Sequence, residues 1–384
     1  MNISNKIHFF TNRELSEVYV SYAIRALAFS MIGLFIPVFL LQMGYPLTEV
    51  FLFFFFTELF GIPFAFLSAK LAEHIGFKHT ILLSVPVQIL FFFLLFALNK
   101  SFISLWFVAL IYGFAAMLFW MPFHFEFATN SDRKNRGMEF GILQSLSLTV
   151  VVIGPLTGAF IISKFSFNAL FVIVSILLFL STFPLFLSKD KKRPFKINFK
   201  KYFSKYRREA NVFFSEGIMD NAHLILWPTF VFLILQGIFS LGIIGSLGGL
   251  FTAFVPVIIG RVADEMPKGK MMRLGAWFNA PVSILRGFFT PFGWLATWTA
   301  LSGLTMAIFQ VPFLSRFYNK AARRKYEQYI VFREFYLRLG RAFLFCVLII
   351  LLFFGVHWLY VFVIGFFMAA VAITICSKYA EAKT

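Results

Sequence analysis

Long apolar runs alternate along the chain with short polar breaks. A run of about 20 apolar residues suits a helix that crosses a bilayer. Such runs fall at residues 18–41, 50–71, 80–98, 102–125, 137–162, 168–187, 212–235, 241–260, 271–289, 293–314, 329–354 and 357–377. The pattern predicts an all-α polytopic membrane protein with twelve transmembrane helices. One long polar stretch interrupts it, near residues 188–210. The expected organisation is an N-terminal six-helix bundle over 1–188, a cytoplasmic linker over 189–211 and a C-terminal six-helix bundle over 212–384.

Composition supports this reading. Of 384 residues, 60% are hydrophobic, 14% are charged and 59 are Phe. Soluble domains run nearer 45–50% apolar and about 25% charged, so a soluble enzyme, a disordered chain and a disulfide scaffold are all excluded. No cleavable leader is expected, because the first apolar run is long enough to span and stay. Cys346 and Cys376 both lie in apolar runs and read as inert packing residues, so neither a disulfide nor a metal site is predicted. No cofactor is called for.

The net charge of +18 could suggest nucleic acid, but its placement argues otherwise. Of the 35 basic residues, only Lys100 and Lys164 fall in loops on one side. Arg25, Arg286, Arg333, Arg338 and Arg341 lie inside spans, and the rest crowd the other side. Positive residues mark the cytoplasmic face, so both termini should be cytoplasmic and the protein should sit in the plasma membrane. The linker carries Phe195, Phe199, Tyr202 and Tyr206 among lysines and arginines. This suits an amphipathic helix on anionic lipid better than a nucleic-acid surface.

The two halves resemble each other at an offset of about 190 residues. The segment around Pro37 pairs with that around Pro228. Lys70-Leu71-Ala72-Glu73 pairs with Arg261-Val262-Ala263-Asp264, and the segment around Pro122 pairs with that around Pro312. Parallel repeats of this kind imply two like bundles with a solute path between them. In the second loop, Ala69-Lys70-Leu71-Ala72-Glu73-His74-Ile75-Gly76-Phe77-Lys78 resembles the G-x-L-A-D-R-x-G-R-R/K motif of the major facilitator superfamily of secondary transporters. The loop from Gly260 through Arg261 and Asp264 to Lys270 resembles it again. In the fifth span, Gly154-Pro155-Leu156-Thr157-Gly158 is similar to a motif of exporter branches. The Arg that drug-efflux branches carry in span four would fall at Ala109. The resemblance implies alternating access between the two bundles. It also implies a cytoplasmic gate at Lys70, Glu73, Gly76, Lys78, Arg133, Arg136, Gly260, Arg261, Asp264 and Lys270. Charges there can latch helix ends; the plainer alternative is a tight turn with solvated charges.

Ionisable residues inside spans are costly and mark function by default. Glu216, Asp220, His223 and Trp227 follow spacings of 4, 3 and 4, which places them on one helical face. Arg25 stands opposite Glu216 in the repeat. An Arg25 pairing with Glu216 or Asp220 is expected; the alternative is that each side chain snorkels to the interface. Trp120 and His124 share a face of the fourth span, and Gln310 takes the Trp120 place in the tenth. These three either line a cavity for an amphipathic solute or form an interfacial belt. Glu58 either pairs with another helix or belongs to the pathway. Arg333, Arg338 and Arg341 in the eleventh span read first as an anchor at the anionic leaflet, with a positive cavity wall as the alternative.

The expected function is secondary transport of a small organic solute, by export, with uptake of a nutrient as the alternative. Protons couple it on one reading; on the other, the charges form a structural network or serve another ion. Lipid translocation is the second class. Neither an ATP-binding loop nor a catalytic constellation is present in the sequence. Besides the solute and membrane lipids no partner is indicated, and oligomeric state is not legible.

Overall fold

The computed structural model describes residues 13–98, 103–130, 136–187, 190, 206–265, 267–323 and 325–380. These are helical, with no strand among them. The order is α1 (Arg13–Ile32), a 3-10 turn (Gly33–Phe35), α2 (Ile36–Gln42), α3 (Leu47–Ile75), α4 (Phe77–Ala97), α5 (Leu105–Asn130), α6 (Arg136–Lys164) and α7 (Phe167–Leu180). Then come α8 (Arg207–Asn221), a π turn (Ala222–Leu226), α9 (Trp227–Leu235), α10 (Ile238–Glu265), α11 (Lys268–Leu285), α12 (Phe292–Ala322), α13 (Tyr326–Phe353) and α14 (Trp358–Ser377). Among the described residues, nine helical segments are long and apolar enough to cross a bilayer. In hydrocarbon every backbone N–H and C=O must be satisfied within the segment, which is why apolar runs of this length fold as helices.

Helices extend past the apolar runs where polar residues still carry the ladder. Thus α8 begins at Arg207, inside the stretch assigned to the linker. The rest of the expected amphipathic linker helix, 191–205, lies outside the described residues. Turns fall where the chain carries Gly or Pro. Gly76 alone joins α3 to α4 at φ +104°, a conformation that side chains strain to adopt. A Cβ there would also strike the Asp190 carboxylate, which accepts hydrogen bonds from the His79 backbone N–H (3.0 Å) and ring (2.8 Å).

Pro37 and Pro228 share one physical effect. Proline offers no N–H to the carbonyl four residues earlier. The helix answers by tightening into the 3-10 turn before Pro37 and by loosening into the π turn before Pro228. Repeat-related prolines therefore break two repeat-related helices at the same place, with opposite local geometry.

Packing also repeats. In the first half α1 lies against α6 and α7, α5 against α3 and α4, and α4 against α7. In the second half α8 lies against α13 and α14, α12 against α10 and α11, and α11 against α14. Between the halves, α6 meets α10 and α3 meets α13. Small residues permit these approaches. A Cβ on Gly158 would overlap the Met31 carbonyl, so α6 rides directly on α1. Pro155 meets Gly242 and Gly245 of α10 on its other side. The span-five motif of Gly154, Pro155 and Gly158 thus works as packing between α1 and the opposite half. Gly217 and Gly340 likewise set the α8 backbone on the α13 backbone. Phenylalanines fill the seam: Phe51 and Phe54 each lie 5.7 Å from Phe345, centroid to centroid.

Candidate functional site

A cavity of about 380 Å³ lies between the halves. Its first wall is aromatic and comes from α1 and α5, through Tyr22, Trp120 and Phe123. Tyr22 stacks on Phe123 at 4.8 Å, and Trp120 stacks on His124 at 5.7 Å. Its second wall is charged and comes from α8 and α13, through Glu216, Asp220, Arg333, Glu334, Arg338 and Arg341. Helix α12 closes the remaining side with Met306, Gln310 and Tyr318.

The charged wall holds two clusters of ion pairs, one around Arg333 and one around Glu58. Arg333 grips Glu216 with two hydrogen bonds, Nε to Oε2 at 3.0 Å and Nη2 to Oε1, and donates a third from Nη1 to Glu334 at 2.8 Å. Arg341 donates to Asp220 at 3.1 Å and lies 3.7 Å from Glu58. Arg338 donates to Glu58 at 2.7 Å and reaches the Met117 sulfur at 3.1 Å. The Glu58 bonds cross from α3 to α13, so they tie the halves together. His124 of α5 makes a second crossing: its Nδ1 shares a hydrogen bond of 2.6 Å with the Tyr318 hydroxyl, and its Nε2 lies 3.6 Å from Glu334.

Several expectations change on this geometry. The Arg25 pairing with Glu216 or Asp220 is not made in this state, because Arg333 and Arg341 hold those acids. Arg25 instead lies 3% exposed behind the aromatic wall, its guanidinium 3.8 Å from the Phe119 ring centre. Trp227 leaves the stripe of Glu216, Asp220 and His223. The intervening π turn rotates it off the cavity, and it is buried with its indole N–H donating to Thr299 at 3.1 Å. The arginines of α13 do not anchor at a lipid surface. All three line the cavity, each matched to a carboxylate.

Trp120, His124, Glu216, Asp220, His223 and Gln310 do converge on the cavity. His223 accepts from Arg286 at 3.3 Å and bonds Ser302 at 2.9 Å, so one ring nitrogen is held by each neighbour. Sequence reasoning missed Tyr22, Tyr318 and Arg286. The first two are aromatics like many others here, and Arg286 shows only as a charge in a weakly apolar span. At the basic end, Lys78 is buried against Glu17 at 3.0 Å, tying α4 to α1. Lys70 and Lys270 are exposed and Glu73 is half-buried. Arg133 lies outside the described residues, as do the side chains of Arg136, Arg261 and Asp264 and the surroundings of Gly260.

The packing of the first part of the chain recurs in the second, and a charged cavity lies between them. Residues 18–241, more than half of the chain, match the Major Facilitator Superfamily, and the chain belongs to that family of transporters rather than to an enzyme family. The human organic anion transporter MFSD10 (TETRAN) has a similar fold, with a TM-score of 0.66 at 14% identity over 93% of this chain and 99% of that one. The Uncharacterized protein YqgE of Bacillus subtilis (strain 168) is 25% identical over 246 residues. That match takes in 60% of this chain and 56% of YqgE, so the chain spans little more than half the length of that relative.

Proposed function

We propose that this chain is a twelve-span secondary transporter that exports a small amphipathic organic solute by alternating access, coupled to protons. Its halves are residues 1–188 and 212–384, joined by 189–211, with both termini on the cytoplasmic side of the cell membrane. The observation that carries this reading is the cavity itself. One half supplies rings that accept an apolar body, and the other supplies charge that orients a polar end. The repeated packing supports two rigid bundles that rock about the seam.

Proton coupling rests on a charge count. Across the two clusters four carboxylates (Glu58, Glu216, Asp220, Glu334) face three guanidiniums (Arg333, Arg338, Arg341), and the surplus acid lies with Arg333, which holds both Glu216 and Glu334. One proton balances that surplus, and moving the proton with the cavity couples it to transport. The family gate motif around Glu73 and Asp264 would latch the basic end between strokes. A host lacking its own efflux pumps, challenged with a panel of toxic compounds, tests this. Intact protein should raise tolerance to at least one compound, and Asp220→Asn should abolish the gain. In proteoliposomes carrying a pH-sensitive dye, that compound should move protons. Equal tolerance with the Asn variant, or solute flux indifferent to a pH gradient, contradicts the proton reading.

A further inference from the structure

We infer that Arg25 is the recognition residue for the charged end of the solute, and that the solute is an organic monoanion such as an aromatic carboxylate. This rests on the transporter reading above and names its substrate class.

Arg25 sits deep in α1, twelve residues from the start of the helix, or roughly 18 Å along its axis. It is 3% exposed, and neither Nε nor Nη1 has a hydrogen-bond partner. What it touches is aromatic: the Phe119 ring at 3.8 Å and the Phe29 ring at 5.0 Å. Ring faces attract a guanidinium, but they leave its N–H donors unmet. A buried cation without a counter-charge is expensive, and within a membrane it marks a ligand pathway by default.

The other arginines inside the spans set Arg25 apart. Arg333, Arg338 and Arg341 each hold a carboxylate. Arg286 has the His223 ring and the Ala222 carbonyl. Among the described residues Arg25 has neither acid nor carbonyl on Nε or Nη1, and an incoming anion supplies the missing partner.

The position tells where that partner comes from. Tyr22 lies three residues before Arg25, on the same face of α1, and lines the cavity. Phe119 packs at 6.5 Å from Tyr22, 5.1 Å from Trp120 and 5.4 Å from Phe123, and all three of these rings line the cavity. Phe119 therefore stands as a partition between the cavity and the guanidinium. A turn of that ring joins the two spaces and gives an anion both an aromatic bed and a cation. Repulsion from the opposite wall is limited, because the α13 arginines offset three of its four acids and the coupled proton offsets the fourth. The cavity volume of about 380 Å³ suits a solute built on one or two rings.

The test uses purified full-length protein and three probe anions: benzoate, 3-phenylpropionate and indole-3-acetate. Their neutral amides and an amine, 3-phenylpropylamine, are the comparators. At least one anion should raise the melting temperature, and its amide and the amine should not. Arg25→Gln should remove the shift and raise the half-saturation for proteoliposome flux at least tenfold. Arg25→Lys, which keeps the charge, should retain part of both and guards against a folding defect in the Gln variant. No stabilisation by any anion overturns the inference, as does equal stabilisation by amides. Flux of the amine or an amide without anion flux overturns the anion class while leaving the transporter reading intact. Rescue of flux in the double variant Arg25→Glu with Glu216→Arg also overturns it, since Arg25 would then be a partner of helix α8 and not of the solute.

Discussion

Arg333→Gln is expected to cost more stability than any other single change in the cavity. It strands two buried carboxylates at once, Glu216 and Glu334, both of which Arg333 now holds. Removing one partner of a buried pair costs about 3–5 kcal/mol, because the other charge stays behind without water. Replacing both partners with neutral groups removes most of that penalty. The double variant Arg333→Gln with Glu216→Gln should therefore be more stable than Arg333→Gln alone, although it has lost more native contacts. Thermal unfolding of the three variants in one detergent measures this. A double variant less stable than either single would mean that Glu216 and Arg333 are held for reasons other than each other.

The second large effect is expected at the seam. Glu58 of α3 faces two arginines of α13, at 2.7 and 3.7 Å, and so carries much of the ionic attachment between the halves there. Glu58→Gln leaves Arg338 buried without its counter-charge, with only a neutral amide oxygen and the Met117 sulfur to accept its protons. Arg341 keeps Asp220, so the damage concentrates on Arg338. A loss of about 3–5 kcal/mol follows from the same physical argument. Adding Arg338→Met to Glu58→Gln should recover much of it, because an apolar chain of similar length fits the space beside Met117. Chemical unfolding of the pair of variants decides the matter, and an unimproved double variant would count against the seam pair.

Much of the fold was legible because the bilayer restricts the choices. Apolar length, basic loops and repeated prolines all point to paired bundles without any knowledge of side-chain contacts. The site was legible in part. Glu216, Asp220 and His223 follow from helical spacing alone, since no more than a turn or two separates them. Trp227 does not, because a single π turn shifts the register and spacing arguments assume an unbroken helix. The α13 arginines misled for another reason. They follow the exposed-looking cluster of Arg323, Arg324 and Lys325, and nothing in local sequence says which face of the helix meets lipid. Their partners, Glu58 on α3 and Asp220 on α8, lie more than a hundred residues away. Arg25 misled in the opposite sense: symmetry placed it across from Glu216, and the asymmetric α13 supplied a better cation first.

The central claim is that the cavity opens to the two faces of the membrane in turn as the halves rock. One labelling experiment tests it directly and needs no known solute. Phe125 of α5 and Tyr326 of α13 face each other across the halves at the basic end, 6.2 Å apart between ring centres, and neither lines the cavity. Cysteines at both positions, in a chain with Cys346→Ala and Cys376→Ala, can be joined by a short thiol-cleavable tether. A third cysteine at Leu314, on the cavity wall, reports access to a membrane-impermeant maleimide. Untethered protein should be labelled at Leu314→Cys from either face of the membrane. Tethered protein should be labelled only from the face opposite Tyr326, and cleavage of the tether should restore both. Equal labelling from the Tyr326 face with the tether in place would contradict the account.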